Sequence, residues 1–388
     1  MTLRLRGRSV PVVLPSWRDI RFRLTAVIIV LQVLGQTVLR FKVSVAQIIV
    51  TMLVCGVIEL VFTYRREKRL VWPASALQTG ASVAFILRAS GTVHGDIWSL
   101  RGIHLFVIAG VVSLLSKYLV RPGSKKHIFN PSNIGIVAVL LVVGPDFVFS
   151  EHLWWGPLGI RVLSAVAVIL VGGLWILRPV KMVAMVTSFL VTLGSLVAVF
   201  AVMGRSFYAT WRPDPVTGSS YWLNIALSPE VWAYAFFMMS DPQTAPKSRQ
   251  GRMIYGAVTG ALTAALLYFQ TTEFGIKVAL LGSLTVACAL TPSIERICRR
   301  LEARHQRPDE RAAAAATAPV TVGARTRPRR LLTALRTPAV VAAAIIAVGT
   351  LVDTAALPAD KGIVLIERDL PAPGSVQSGV LVHNPHRQ

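Results

Sequence analysis

The chain has 388 residues, of which 54% are hydrophobic and 15% charged, and its mean hydropathy is +0.59. Soluble globular proteins carry about 25% charged residues, so this composition excludes an ordinary soluble domain. Lys and Arg exceed Asp and Glu by 23. These cations lie in short loops between apolar runs, where they act as topology signals, so we predict no nucleic-acid partner. The three cysteines show no metal-ligand spacing, so no metal site is predicted.

Apolar runs recur along the chain at close to the length of about 20 residues that crosses a bilayer. We predict spans at 24–39, 44–64, 73–88, 102–120, 129–148, 160–177, 182–203, 223–240, 253–269 and 275–292. A further apolar run at 337–357 predicts an eleventh span. The predicted fold class is therefore an all-α polytopic membrane protein, a bundle of ten transmembrane helices with an extra C-terminal helix, and its first partner is the lipid bilayer of the cell membrane.

The distribution of Lys and Arg assigns the two sides of the membrane. Basic residues are frequent in alternate loops, namely 18–23, 65–69, 121–126, 178–181, 247–252 and the stretch after 295. The positive-inside rule makes this side cytoplasmic. The predicted domains are a basic cytoplasmic arm at 1–23, a transmembrane domain at 24–292, an Arg- and Ala-rich cytoplasmic linker at 293–336, the eleventh span at 337–357 and an extracytoplasmic tail at 358–388. The linker is either flexible or contains a short helix.

Three polar clusters interrupt the apolar pattern, and counting spans places all three at the cytoplasmic face. The first cluster is 72–80, the second is 127–135 and the third is 239–247. In the second, Pro131 suits the first position of a helix and Asn130 suits the cap before it. This cluster therefore predicts a helix N-terminus whose free N–H groups and positive dipole end could hold an anion or a polar head group.

We predict that the three clusters converge on one polar cavity at the cytoplasmic face. The predicted cofactor-binding residues are Ser75, Thr79, Asn130, Ser132, Asn133, Asp241, Thr244 and Lys247. In this hypothesis Asp241 caps or accepts from the helix starts, while Lys247 supplies charge to an anionic ligand at the rim. The alternative is that each cluster contains only ordinary helix caps and breakers. The sequence assigns no catalytic residue.

Glu59 is an ionisable residue inside the second predicted span. It indicates either a proton or cation path or an ion pair, for which Arg88 is a candidate partner. The alternative is that Glu59 lies close enough to the cytoplasmic end of its helix to reach water, since only five residues separate it from Arg65.

The clusters resemble, in order, the family of membrane subunits that includes RnfD, from the Rnf electron-transport complex, and NqrB, from the sodium-translocating NADH:quinone reductase. The matching segments are 75–80 (SALQTG), 129–135 (FNPSNIG), 236–244 (FFMMSDPQT) and 251–256 (GRMIYG). The resemblance covers about residues 18–292. It implies a membrane subunit that works with redox partner proteins.

One feature of that family is missing from this chain. The resemblance implies flavin mononucleotide bound through the Thr of an Asp-Gly-x-Ser-Gly-Ala-Thr segment soon after the Asn-Pro motif. The corresponding interval, 144–156, contains no Thr. We therefore expect no covalent flavin, and any flavin here is expected to bind non-covalently. The segment at 214–220 has only a faint likeness and comes too late in the chain.

A branch that lacks this Thr is more similar: the UnbU-type membrane proteins encoded beside enediyne polyketide synthases in actinobacteria. The resemblance implies a membrane accessory of enediyne, and so antibiotic, biosynthesis that acts with pathway proteins. Three functions remain open at this stage. They are a redox subunit with a non-covalent flavin or quinone, a transporter or channel for a hydrophobic metabolite or an ion, and a non-catalytic membrane scaffold.

Overall fold

The computed structural model describes residues 2–5, 8–16, 19–120, 127–148 and 159–305, which all belong to one compact unit. Helices dominate this part of the chain. They are α1 (Ile20–Thr37), α2 (Val45–Glu67), α3 (Ala74–Ile86), α4 (Ile103–Leu119), α5 (Pro131–Val143), α6 (Ile160–Val180), α7 (Val183–Val202), α8 (Gly218–Ala226), α9 (Pro229–Ala233), α10 (Arg249–Leu267) and α11 (Glu273–His305). Each predicted span except the eighth overlaps one of these helices, in order.

The predicted cytoplasmic arm contains two of the three strands of the described residues. Strands β1 (Thr2–Leu5) and β2 (Arg8–Val13) form an antiparallel hairpin, and β2 also pairs in parallel with the short strand β3 (Leu70–Val71) just before α3. Helix α1 then begins at Ile20, where the side chain of Asp19 accepts from the backbone N–H of Arg21 as an N-cap. The arm is therefore folded against the start of the bundle.

Five described helices are long and apolar enough to cross a bilayer, namely α1, α2, α6, α7 and α11. Helices α3 and α5 have 13 residues each and so reach only about 20 Å. The predicted spans 73–88 and 129–148 are too long by several residues. Irregular backbone continues both helices, with Ala89 and Val148 bridging each other, and both of these residues are buried. Such backbone is tolerated at membrane depth when protein covers it.

The eighth predicted span, 223–240, is wrong as a single helix. Ser228 and Pro229 divide it, because Pro229 suits the first turn of a new helix and the hydroxyl of Ser228 accepts from the N–H of Glu230 as its cap. Helix α9 then widens into one π-helical turn, Tyr234–Met238. The serine cap and the proline at N1 are present in the sequence. Because apolar residues continue on both sides of them, the segment was predicted as one span.

Helix α11 is the central helix of the described bundle, with 89% of its most apolar window buried. It continues to His305, so residues 293–305 of the predicted linker are helical. The rest of that linker, the predicted eleventh span and the predicted tail lie outside the described residues, as does the basic turn at 121–126.

Candidate functional site

A cavity of about 420 Å³ lies between α1, α3, α5, α9 and α11. One face of α3 lines it along its whole length, since Ser75, Thr79, Ser82 and Ile86 follow each other at helical spacing. On the opposite wall, apolar residues of α1 recur at the same period, from Ile20 to Leu31. The cavity therefore extends about 15–20 Å along the helices, well beyond the membrane boundary at which the clusters lie.

All three polar clusters contribute to the wall of this cavity. Of the eight predicted site residues, the five that line it are Ser75, Thr79, Asn130, Ser132 and Asp241. The side chains of Asn133 and Thr244 are buried elsewhere, and Lys247 is exposed and is not among the lining residues. The prediction that Lys247 supplies charge at the rim therefore has no geometric support in the described structure.

Asn130 has the predicted capping role, and its amide also joins two parts of the fold. Its Oδ1 accepts from the backbone N–H of Asn133 at 3.3 Å and from the hydroxyl of Ser132 at 3.0 Å. Its Nδ2 donates to the carbonyl oxygen of Met238 at 3.1 Å. The start of α5 is thus satisfied within the protein and fixed to the end of the π-helical turn, so this side chain is structural as well as cavity-lining.

Two other predicted site residues also make structural hydrogen bonds. The amide of Asn133 donates to the carbonyl oxygen of Leu281 and to the hydroxyl of Thr285, both at 2.9 Å, and so ties α5 to α11. The hydroxyl of Thr244 donates to the carbonyl of Asp241 within a turn. Asn133 and Thr244 therefore have structural roles, and the structure does not support the prediction that they bind a cofactor.

Asp241 lies at the mouth of the cavity, but it does not accept from the starts of α3 or α5 as predicted. Its Oδ1 accepts from the backbone N–H of Gln243 at 2.9 Å, and its Oδ2 lies 3.6 Å from Nε2 of His127. His127 belongs to the second cluster and also lines the cavity. A carboxylate and an imidazole therefore face each other where the cavity opens toward the predicted cytoplasmic side.

Charged side chains line the inner end of the cavity, and they were not among the predicted site residues. Arg88, Glu230 and Lys277 all line it, and the two cations are 2% and 3% exposed. Lys277 donates to the carbonyl oxygen of Ile86 at 2.8 Å, and both cations are within electrostatic reach of the Glu230 carboxylate. Arg88 donates to the carbonyls of Ala84 and Leu87 and stacks over the ring of Phe41.

At this inner end Nε of Arg88 and Oε2 of Glu230 are buried and have no hydrogen-bond partner among the residues that the structure describes. A buried donor or acceptor that stays unpaired costs about 1–3 kcal/mol. One donor and one acceptor at the end of a cavity therefore favour a ligand that carries both kinds of group. The signal for these residues was present in the sequence, because Lys277 and Arg88 are ionisable residues inside predicted spans.

Glu59 has a partner other than the one predicted. Its Oε1 accepts from Nζ of Lys117 at 2.7 Å, and the same ammonium group donates to the hydroxyl of Ser75 at 3.0 Å. The Glu59 side chain is 15% exposed, so it is largely shielded from the surroundings, and Arg88 lies instead beside Glu230. The ion pair between α2 and α4 thus holds the first residue of the α3 face that lines the cavity.

These features define a class. Five described helices can cross a bilayer, apolar side chains are exposed on α1, α2, α6 and α7, and short and broken helices enclose a polar cavity, so this is a multi-pass membrane protein. Residues 148–304 match the model of the NQR2, RnfD, RnfE family. Over this segment the chain is similar to that family.

The matched segment is less than half of the chain. It contains α6 to α11 and the third cluster, whereas the first and second clusters precede it. No curated protein matches the chain.

Proposed function

We propose that this protein is a redox subunit whose cavity binds a flavin or a quinone without a covalent bond. The observation that carries the proposal is the cavity itself, in which polar groups lie at both ends and apolar side chains lie between them. Its middle is lined by aromatic rings, those of Phe85, Tyr234, Phe236 and Phe237. A volume of about 420 Å³ is within the range of cofactor and small-molecule sites.

The residues at the inner end fit the hydrogen-bonding edge of such a ring system. A flavin carries carbonyl acceptors and an N–H donor along one edge, and a quinone carries carbonyl acceptors. The unpartnered Nε of Arg88 would donate to a carbonyl, and Oε2 of Glu230 would accept from an N–H or a hydroxyl. When bound, the group would supply the electron transfer, while the apolar walls of the cavity keep water away from it.

The mouth of the cavity supports exchange with a partner. His127 and Asp241 lie there, and Pro242 and Gln243 beside them are exposed. A partner protein that docks on the predicted cytoplasmic side would approach this end. From the resemblance to UnbU-type proteins we propose that the partners belong to an enediyne biosynthetic pathway and that the chain acts as its membrane accessory.

A transporter or channel is the second candidate. The break between α8 and α9 and the short helices α3 and α5 favour it, because transporters bind substrates where helices are interrupted. Under this candidate the cavity would hold a hydrophobic metabolite with a polar end or an ion. The scaffold candidate rests on residues 293–330, of which the structure describes 293–305 as the end of α11.

The test of ligand identity is direct. We expect protein purified in a mild detergent to absorb near the flavin bands, or to release a quinone on solvent extraction, and acid denaturation should release the whole of the ligand into the supernatant. A fluorescent flavin band that stays with the protein on a denaturing gel would contradict non-covalent binding. Protein without either group would favour the transporter.

A cavity-filling variant tests where that ligand binds. Ser82 lies midway along the α3 face of the cavity, and Ser82→Phe should fill the space and remove at least nine-tenths of the bound ligand, a loss that corresponds to about 1.4 kcal/mol. The matched control is Val191→Phe, which adds a similar ring on the exposed face of α7. Equal ligand content in both variants, with equal yields of folded protein, would show that the ligand binds elsewhere.

A further inference from the structure

A second, separate concavity lies on the outer side of α1. This α1 groove has a volume of about 560 Å³ and is bounded by α1, α2 and α3. Its lining runs along α1 from Asp19 to Thr37, the full length of the helix, and is almost entirely apolar. Ile29 and Val33 on its rim are each 56% exposed, so the α1 groove faces the surroundings of the bundle.

Gln32 lies midway along this groove, whose other polar lining residues are Asp19, Arg21, Thr25, Gln36, Thr37 and Gln78. It is only 9% exposed, and neither Oε1 nor Nε2 of its amide has a hydrogen-bond partner. The residue comes thirteen positions after the cap of α1 and so lies about 20 Å from the cytoplasmic end of the helix. An unpaired amide at this depth in a membrane is costly, so an occupant of the α1 groove that brings a polar group to this level is favoured.

A lipid chain cannot do so, because about 20 Å from one surface of a core about 30 Å thick is still a region of methylene groups. The chain itself has a better candidate in the apolar run at 338–354. Its sequence places Ala339, Ala343, Ala347, Thr350 and Thr354 on one helical face and large residues such as Val348 away from that face. Small residues at every fourth position allow close helix packing in membranes.

The two segments also align in depth. Thr337 suits the N-cap of a helix and Pro338 its first position. The corresponding residues of α1 are Asp19 and Ile20. Both segments would start on the predicted cytoplasmic side, where α11 ends at His305. If Thr337 and Asp19 lie at the same depth in the membrane, Thr350 lies at the level of Gln32. Thr350 is on the same helical face as the small residues. The 31 residues from 306 to 336 can span up to about 100 Å, so the connection is long enough.

We propose that the α1 groove is the binding surface for the chain's own C-terminal apolar segment. In this arrangement residues 338–354 cross the membrane parallel to α1, the small-residue face packs against α1 and α2, and the hydroxyl of Thr350 bonds the amide of Gln32. The occupant is thus a segment of the same molecule, which would complete the apolar surface of the bundle. The inference is independent of the ligand in the cavity.

Disulfide cross-linking in native membranes tests this register. Ile29 and Ala347 share one level, so the variant Ile29→Cys/Ala347→Cys should form an intramolecular disulfide on mild oxidation and lose both free thiols. The native cysteines Cys55, Cys288 and Cys298 are buried and stay in place, and Ile29→Cys alone gives the background. The matched control is Ile29→Cys/Val348→Cys, one residue further on but rotated by about 100°.

A positive control shows whether the oxidation conditions can form a disulfide in this protein. Tyr208 and Thr272 form a direct bridge, so Tyr208→Cys/Thr272→Cys should cross-link under the same oxidation. If that control reacts, absence of an Ile29–Ala347 disulfide overturns the proposal. Equal reaction at Val348 overturns the register, and a disulfide-linked dimer shows that a second copy fills the α1 groove instead. A C-terminal reporter that reads cytoplasmic would also overturn it.

Discussion

Replacing Lys277 by Met is expected to destabilise the protein by about 3–5 kcal/mol, the cost of removing one partner from a buried charge set. Lys277 is 3% exposed and lies at the inner end of the cavity, where its ammonium group donates to the carbonyl of Ile86 and is within electrostatic reach of the Glu230 carboxylate. The variant leaves that carbonyl unpaired and removes one of the cations that balance Glu230. The measurement is the temperature at which detergent-solubilised protein loses its monodisperse elution peak.

Variants of Glu230 distinguish the loss of the charge interaction from the loss of packing at Lys277. Glu230→Gln alone should also destabilise, because it removes the negative charge that offsets the repulsion between Arg88 and Lys277 and leaves Glu273 as the carboxylate acting on Lys277. Lys277→Met/Glu230→Gln removes both charges, so it should recover a large part of the loss. Strictly additive losses in the double variant would show that Lys277 and Glu230 do not interact. A wild-type transition temperature for Lys277→Met would show that its charge is not needed.

Gly135→Ala is expected to reduce the yield of folded protein strongly, with a destabilisation at or above the upper end of the range of about 1–3 kcal/mol for overpacking. Gly135 lies in α5 against α4, and a Cβ at this position would overlap the carbonyl oxygen of Ala109 and the hydroxyl of Ser113. These atoms are themselves hydrogen-bonded to each other at 2.7 Å, and Ser113 is fully buried. The two helices would have to move apart.

Gly194→Ala is the matched control for that variant. Gly194 lies inside α7, and no atom lies within 4 Å of the position that a Cβ would occupy there. The change should leave the transition temperature unchanged or raise it slightly, since Ala is the better helix former by about 1 kcal/mol. Similar losses in both variants would mean that helix propensity, and not the contact between α4 and α5, decides the effect.

The order of the helices was predictable because the membrane imposes one simple rule. A segment that crosses a hydrocarbon layer must be apolar over a fixed length, so a linear reading of hydropathy recovers the order of the described helices, except where the eighth predicted span is divided. The same rule explains the errors. It cannot detect that α3 and α5 stop about 10 Å short, since protein rather than lipid covers the backbone that follows them.

The site was predictable only in part. Helix-start chemistry identified Asn130 and Pro131 correctly, and counting spans brought Thr79, Asn130 and Asp241 to one face of the membrane; the same cavity contains all three. Sequence could not tell which side chains at a helix start face the cavity and which face a neighbouring helix. For this reason the predicted cofactor-binding residues wrongly included Asn133, which bonds α11, and Lys247, which is exposed and does not line the cavity.

What the sequence determined by itself is the class of protein: a chain of apolar spans with a basic side and three polar clusters, because length, hydropathy and charge act locally along the chain. What only the tertiary structure decided is the partner of each buried charge. Glu59 pairs with Lys117 and not with Arg88, and Glu230 interacts electrostatically with Arg88 and Lys277, residues separated by 189 positions. An ionisable group inside a membrane protein needs a partner in space, and helix packing, not sequence distance, selects that partner.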